Sequence, residues 1–395
     1  MNGASPHKYK RVALVIESMM APRRNLMNGL ARFMQENEPW SIYVKPPFVE
    51  AALVRWLETW HGDGLIGVVK PDQKEALRRE GIPFVDLATN DPTDWAHGVH
   101  ANDREIGRAG AEHLLERGFK NFAFFEVENA IWSRNRHDGF AARLRESGFA
   151  AHRIAVPKPS AGPGGPDDWD RQQRAMGEWI AGLPAPVGIM TTTDFLGRQV
   201  LEACQRFGIN VPDTVAVLGA DNDEPICRIS TPPLSSVIIN DEQRGYEAGA
   251  LLAQLMEGKA PAQRVVLVSP SGVMARASTD VSKFDDELMV AAMRRLREHF
   301  DKYAGVEDLA RDLSVSRSTL DRKFRQVLGR SVNDEVVRLR VSNAVRLLSE
   351  TRLPLKSIAL RCGFSSQAYM GTVFKAKLGR TPSAYRRQGL STDPI

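Results

Sequence analysis

Residues 306–329 read VEDLARDLSVSRSTLDRKFRQVLG, two short helical patterns on either side of a three-residue turn. Val306, Leu309, Ala310 and Leu313 recur at i, i+3, i+4 and i+7, the apolar stripe of a helix that must be buried. Ser314, Val315 and Ser316 break the stripe. The Ser316 hydroxyl can accept from an unpaired amide of the next turn, so a second helix is expected to start there. Leu320, Phe324, Val327 and Leu328 are expected on its inner face, with Arg317, Ser318, Asp321, Arg322 and Arg325 projecting outward within about a third of the helical wheel. Such a short, polar, cationic face suits the major groove, where Arg reads guanine with two bonds and small hydroxyls approach base edges or phosphates. For this segment taken alone, a solvated surface helix is the plain alternative.

The pattern then recurs. Leu355, Ile358, Ala359 and Cys362 repeat the first stripe 49 positions on, while Ser366, Met370, Phe374, Leu378 and Gly379 repeat Ser316, Leu320, Phe324, Leu328 and Gly329 at an offset of 50. The extra residue falls in the turn at Gly363 and Phe364, and an internal repeat of this kind is hard to obtain by chance. Between the copies, residues 331–351 read as one helix with Val336, Val337, Val341, Ala344, Val345 and Leu348 inward. About 20 residues at 1.5 Å each span roughly 30 Å, close to the ~34 Å between successive major grooves on one face of B-DNA. Both second helices can therefore reach adjacent grooves of one duplex. The second outward face, Gln367, Ala368, Gly371, Thr372 and Lys375, carries a single charge, so the first copy is expected to dominate base readout, with Gln367, Thr372 and Lys375 as further contacts.

Charge follows the repeat. Of 53 Lys+Arg and 48 Asp+Glu, residues 285–395 hold 21 and 13, a net +8 that leaves −3 for the preceding 284. The positive field thus sits where a polyanion would bind. Tandem helix-turn-helices on a connecting helix, closing with GRTPSAYRR, resemble the DNA-binding domain of the AraC family of transcription regulators over about the last hundred residues. The resemblance implies double-stranded DNA as a partner.

A chain of 395 residues, 43% apolar and 26% charged, has room for two to three folded domains with full-sized cores. Cys204, Cys227 and Cys362 lie far apart without metal spacing, which predicts neither a disulfide framework nor a zinc site. The start, MNGASPHKYK, runs straight into a short apolar stretch without signal-peptide character, and nothing approaches the ~20 apolar residues of a membrane span. A cytoplasmic protein associated with the nucleoid is expected, with no membrane partner, metal or cofactor.

From residue 11 to about 277, short β-rich runs alternate with amphipathic ones. Strands are expected in RVALVIES, SIYVKP, GLIGVV, PFVDLA, GVHAN, NFAFFEV, RIAVPKP, VGIMTTT and VAVLGAD. Helices are expected near 23–35, 51–60, 103–117 and 133–146, from Trp169, and over 195–207. Near-continuous apolar strands joined by crossover helices argue for parallel sheets covered on both faces, and some 270 residues argue for two lobes. In such sheets ligands bind beyond the carboxyl ends of strands, which here carry Glu17, Asp72, Thr193 with Asp194, and Asp221 with Asn222. A converging polar set suits a polyhydroxylated ligand, although any of these residues can equally cap the following helix.

At RNRHDGF (134–140), VAVLGADN (215–222) and TPPLSSV (231–237) the chain resembles the effector domain of LacI-type repressors and periplasmic sugar-binding proteins, over nearly all of 11–277. The resemblance implies an α/β, two-lobed periplasmic-binding-protein-like fold ahead of the all-α tandem helix-turn-helix domain. It assigns Arg136 and Asp221 to sugar hydroxyls and Trp169 to stacking on the sugar ring, with Asn222 beside them. Thr193 and Asp194 stand where that family commonly has Asn-Asp, and Arg24 and Asp72 are weaker candidates from the first lobe. LacI-type repressors carry their DNA-binding head first, whereas here the first strand starts by Arg11 and the DNA-binding domain follows. Fusion in this order resembles regulators of pentose catabolic genes, which makes xylose the expected effector.

The expected organisation is an effector domain over 10–280, a polar linker over 281–288 and a DNA-binding domain over 289–388, with helix-turn-helices at 306–327 and 355–377. A sugar-responsive regulator accounts for both halves, whereas a cargo-binding receptor accounts only for the first. An enzyme would need a phosphate loop, a G-x-S-x-G elbow or a metal-spaced cluster, none of which occurs. A homodimer is expected from the effector-domain resemblance, and contact with RNA polymerase from the regulator reading.

Overall fold

The computed structural model describes residues 9–16, 21–45, 56, 60–88, 95–156, 166–280, 286–303, 305–351, 353–378 and 381–389. Glu17, most of the helix expected over 51–60 and most of the expected linker lie outside them.

Two six-stranded sheets form the first 280 residues. One contains β1 (Arg11–Val15), β2 (Ser41–Lys45), β3 (Gly64–Gly67), β4 (Phe84–Asp86), β5 (Gly98–Ala101) and β11 (Val265–Val268) in the order β11-β5-β4-β3-β1-β2, every pair parallel. The other contains β6 (Asn121–Val127), β7 (Ala151–Val156), β8 (Val187–Thr191), β9 (Val215–Ala220), β10 (Ser235–Ile238) and β12 (Gly272–Met274) in the order β12-β10-β9-β8-β6-β7. Only the β10–β12 pair is antiparallel. Central strands such as VAVLGA are buried along their whole length because helices cover both faces, which is why their sequences are apolar without alternation. The β7 strand begins two residues before the expected RIAVPKP run. Patterning does not single out β10, β11, β12 or the helices Pro71–Arg79 and Asp241–Met256.

Neither lobe is a continuous segment. The chain passes between them after β5, after β10, and between β11 and β12, and the Asn102 amide donates to the Val268 carbonyl at 2.9 Å, tying the first crossing to the third. Helix Asp241–Met256 therefore packs Ala248, Leu251 and Leu252 into the first lobe's core although it follows a strand of the second.

The carboxyl-terminal region holds helices Glu287–His299, Val306–Asp312, Arg317–Leu328, Val332–Glu350, Leu355–Arg361, Gln367–Leu378 and Pro382–Gly389. The first starts two residues earlier than expected, because the Asp286 side chain accepts from the Leu288 and Met289 amides and so fixes the helix start. The connecting helix is capped by a reciprocal pair, Ser331 accepting from the Asp334 amide and Asp334 reaching back. It contributes Val332 and Val336 to the core of the first helix-turn-helix and Val341, Ala344, Val345 and Leu348 to that of the second. Phe324 and Phe374, equivalent in the repeat, are fully buried. Val327, expected inward, is instead 46% exposed: the core covers a narrow stripe through Leu320, Phe324 and Leu328, and Val327 lies beside it.

Candidate ligand cleft and DNA-binding faces

Arg136 sits on the second turn of helix Ile131–Glu146 and is almost wholly buried. Its Nε donates to Asp103 Oδ1 at 2.9 Å, and its Nη1 donates to the Thr192 carbonyl at 2.5 Å and to Asp221 Oδ1 at 3.4 Å. The guanidinium also lies over the Trp132 ring, 5.2 Å from the centroid. Helix–helix contact puts it there. A Cβ on Gly139 would fall 1.9 Å from the Arg104 carbonyl oxygen, and one on Gly107 would fall 1.8 Å from the Arg136 carbonyl oxygen, so only glycine lets the helices starting at Asp103 and Ile131 approach this closely. The Gly of the DGF motif thus serves to bring Asp103 to Arg136.

Asp221 and Asn222 follow β9 with φ of +113° and +51°, two successive side-chain-bearing residues in a region that L-residues seldom enter. Their surroundings impose it: the Asp221 amide donates to the Val237 carbonyl at 3.0 Å, the Asn222 amide to Ser236 Oγ at 2.9 Å, and Arg276 Nη2 to Asn222 Oδ1 at 2.8 Å. Strain held by this many bonds is typical of a place that must present a side chain in one direction. Behind it, Asp194 Oδ2 accepts from the Asp223 amide at 2.7 Å. Burial, and then the neighbouring Asp221 charge, push the Asp194 carboxyl well above the usual carboxylate range. Burial likewise raises Asp103, against the opposing pull of Arg136.

The other expected residues fall in different places. Thr193 caps its helix, accepting from the Leu196 amide at 3.3 Å, while Thr192 presents its carbonyl to Arg136 and donates its hydroxyl to the Phe125 carbonyl at 2.6 Å. Arg24 and Asp72 are exposed near the starts of helices Ala21–Glu36 and Pro71–Arg79, which follow β1 and β3, on the opposite lobe. The Trp169 ring is covered by the Arg206 guanidinium at 4.1 Å, and Arg206 also pairs with Asp170 at 2.9 Å. The aromatic ring against Arg136 is instead Trp132, which sequence reasoning passed over although it stands four residues before Arg136, one helical turn away. Asp103, Thr192 and Arg276 were also missed; Asp103 and Arg276 reach the site from elements remote in sequence.

On the DNA-binding domain, Arg317, Ser318, Asp321, Arg322, Arg325 and Gln326 line one open concavity of about 530 Å³ on the outward face of the first recognition helix. Ser316 caps this helix, accepting from the Thr319 amide at 3.1 Å. Asp321 accepts from Arg325 Nε at 3.0 Å and from the Val332 amide at 3.2 Å, which fixes the connecting helix to the recognition helix. Arg317 pairs with Glu307 at 2.6 Å, and Arg322 is exposed. In the second copy Gln367, Thr372 and Lys375 are exposed as expected, and so is Tyr369, which patterning did not select. Ser314 (φ +56°) and Gly363 (φ +73°), equivalent in the repeat, both end their first helix in the left-handed conformation.

Among the described residues, no helix is long and apolar enough to cross a membrane. Residues 111–279 match the periplasmic binding protein-like domain and residues 309–388 the helix-turn-helix domain. The chain is similar to the xylose operon regulatory protein of Escherichia coli (strain K12), 28% identical over 390 residues, which cover 96% of this chain and 97% of that protein. To the xylose operon regulatory protein of Haemophilus influenzae it is 26% identical over 389 residues, 96% of this chain and 98% of the other. The solved structure of the xylose-binding transcription activator xylR matches with a TM-score of 0.62 at 26% identity, covering 96% of this chain and 98% of that one.

Proposed function

We propose that this chain, a homologue of the xylose operon regulatory proteins, is a sugar-responsive DNA-binding transcription regulator whose effector is D-xylose or a closely similar pentose. The observation that supports it most is the union, in one chain, of a linked Arg136–Asp103–Asp221 set with two outward helix faces at either end of one 19-residue helix. A sugar offers adjacent hydroxyls. Asp221 accepts from them, Arg136 donates to them, and the Trp132 ring supplies the apolar wall that the sugar's C–H face requires. Nothing in this set is arranged as a nucleophile with its base, and the protein acts by binding, not by catalysis.

In this reading residues 10–280 are the effector domain, 281–288 the linker and 289–388 the DNA-binding domain. Arg136, Asp221, Asn222 and Thr193 face the sugar from the second lobe, Arg24 and Asp72 from the first, and Trp169 borders the entrance. Arg317, Ser318, Arg322 and Arg325 read the first groove, with Asp321 orienting Arg325, and Gln367, Thr372 and Lys375 contact the second. The working form is a homodimer on the nucleoid in the cytoplasm, in contact with RNA polymerase when bound beside a promoter. Isothermal calorimetry with D-xylose, D-ribose, L-arabinose and D-glucose, together with gel shifts on a duplex selected from a random pool, tests this. D-xylose should bind and should change the affinity for the duplex. Absence of binding by every sugar, or of any selected duplex, would overturn it.

A further inference from the structure

The helix Asp103–Leu115 begins at the ligand cleft and ends against the DNA-binding domain. At its first residue Asp103 holds Arg136 at 2.9 Å. Nine and thirteen residues on, at about 1.5 Å each, its last turn and cap carry Glu112 and Glu116, roughly 14 and 20 Å away. There Arg330 donates to Glu112 at 2.6 Å and to Glu116 at 2.9 Å, and Arg338 lies 2.9 Å from Glu116. Both arginines also hold Glu335, at 2.7 Å each, and Arg143 holds Glu112 at 2.5 Å. Three guanidinium and three carboxylate groups thus neutralise one another where Glu335 is fully buried and Glu116 nearly so. Burying Glu335 and Glu116 is costly unless each stays paired, so the cluster favours one relative position of its two sides.

Its placement on each side is specific. Arg330 follows Gly329, the left-handed cap of the first recognition helix, and Arg338 lies on the connecting helix that spaces the two recognition helices. On the effector side, Arg117 just beyond the same helix donates to the Thr279 carbonyl at 2.6 Å, and His113 bonds the Thr279 hydroxyl at 2.9 Å. One helix end therefore grips both the DNA-binding domain and the backbone that leads to it. The helix is itself held to its neighbour by the glycine crossing and by two Arg108–Glu146 bonds of 2.7 and 2.9 Å.

We propose that the helix Asp103–Leu115 is the transmission element of this chain, and that the Arg330/Arg338–Glu112/Glu116 clasp at its far end converts sugar occupancy at Arg136 into a change in how the recognition helices are held. Glu112, Glu116, Arg330 and Arg338 are positioning residues: they touch neither sugar nor base. The proposal rests on the cleft being the sugar site, and its test separates the two.

Glu116→Gln removes the central acid from the effector side, where no DNA contact is lost. The experiment measures D-xylose affinity by calorimetry, and affinity for the selected duplex with and without D-xylose, for wild type and variant. Wild type should change duplex affinity by about 5- to 150-fold on binding sugar, the usual range of coupling between two sites. The variant should keep its sugar affinity while that change falls below about twofold, and by reciprocity DNA should no longer alter its sugar affinity. Should Glu116→Gln fail to fold, the charge-balanced pair Glu116→Gln with Arg338→Met replaces it and must give the same result. A folded variant that binds D-xylose and retains the wild-type response overturns the clasp alone. A wild type indifferent to sugar overturns the functional reading and the clasp with it.

Discussion

Asp194 and Asp221 are close enough to feel each other's charge, and their surroundings place them in different states. Asp194, 1% exposed, lies in the protein interior with its carboxyl pushed strongly upward, whereas Asp221 is partly exposed and is held beside Arg136. An amide should therefore replace Asp194 and not Asp221. Asp194→Asn keeps an acceptor for the Asp223 amide and should leave sugar affinity within about twofold, while Asp194→Ala strands that amide and should destabilise the effector domain by about 1–3 kcal/mol. Since folding raises its pKa, Asp194 binds its proton more tightly in the folded chain. The resulting stability is complete below about pH 4 and is lost as pH rises through the elevated value. Thermal unfolding followed across pH should show a flatter slope in the Asn variant, and an unchanged slope would assign the dependence to other groups. Asp221→Asn suits the positive φ, which Asn tolerates, but removes the charge. Sugar affinity should fall about 10- to 150-fold, the equivalent of ~1.5–3 kcal/mol for a hydrogen bond to a charged acceptor. Wild-type affinity by calorimetry would return Asp221 to a purely structural role.

At the scale of elements, the two recognition helices share a scaffold and differ in what they present. Leu320 and Phe324 seat the first and their counterparts Met370 and Phe374 seat the second, while the outer faces diverge in charge and size. Arg322→Ala should cost ~1–3 kcal/mol on the selected duplex and little on unrelated DNA, because a bidentate base contact is lost. Lys375→Ala should weaken all duplexes alike and reduce the slope of log affinity against log salt by about one, because a phosphate contact is lost. Titrations of both variants on two duplexes at several salt concentrations distinguish the roles, and an exchange of the two behaviours would reverse the assignment. These helices were legible in the sequence because a 3.6-residue stripe, a Ser cap and a terminal Gly are local signals. Val327 was misread because which residues flank a stripe depends on the width of the surface it meets.

The whole molecule is two interleaved lobes carrying a third, helical body. A ligand that binds only the folded lobes stabilises them by mass action, so D-xylose at about 100 times its Kd should add ~2.7 kcal/mol to the effector domain. Scanning calorimetry should show the effector transition rising with sugar, with the DNA-binding transition moving as well where the clasp joins the two; a sugar-independent scan would contradict both. What the sequence alone determined is whatever depends on neighbours within a turn or two of chain: the tandem repeat, the connecting helix and the apolar parallel strands. The tertiary structure decided which of these meet. Asp103 reaches Arg136 across 33 residues, and Arg276 reaches Asn222 across 54. Arg330 reaches Glu112 across 218, from another domain. Trp169 is covered by Arg206 from the following helix, whereas the Trp132–Arg136 contact is local, one turn along a single helix. Charge pairing and close helix approach act through space and leave no periodicity in the chain, so nothing local to Glu112 or Glu116 distinguishes them from the solvated carboxylates elsewhere on the surface.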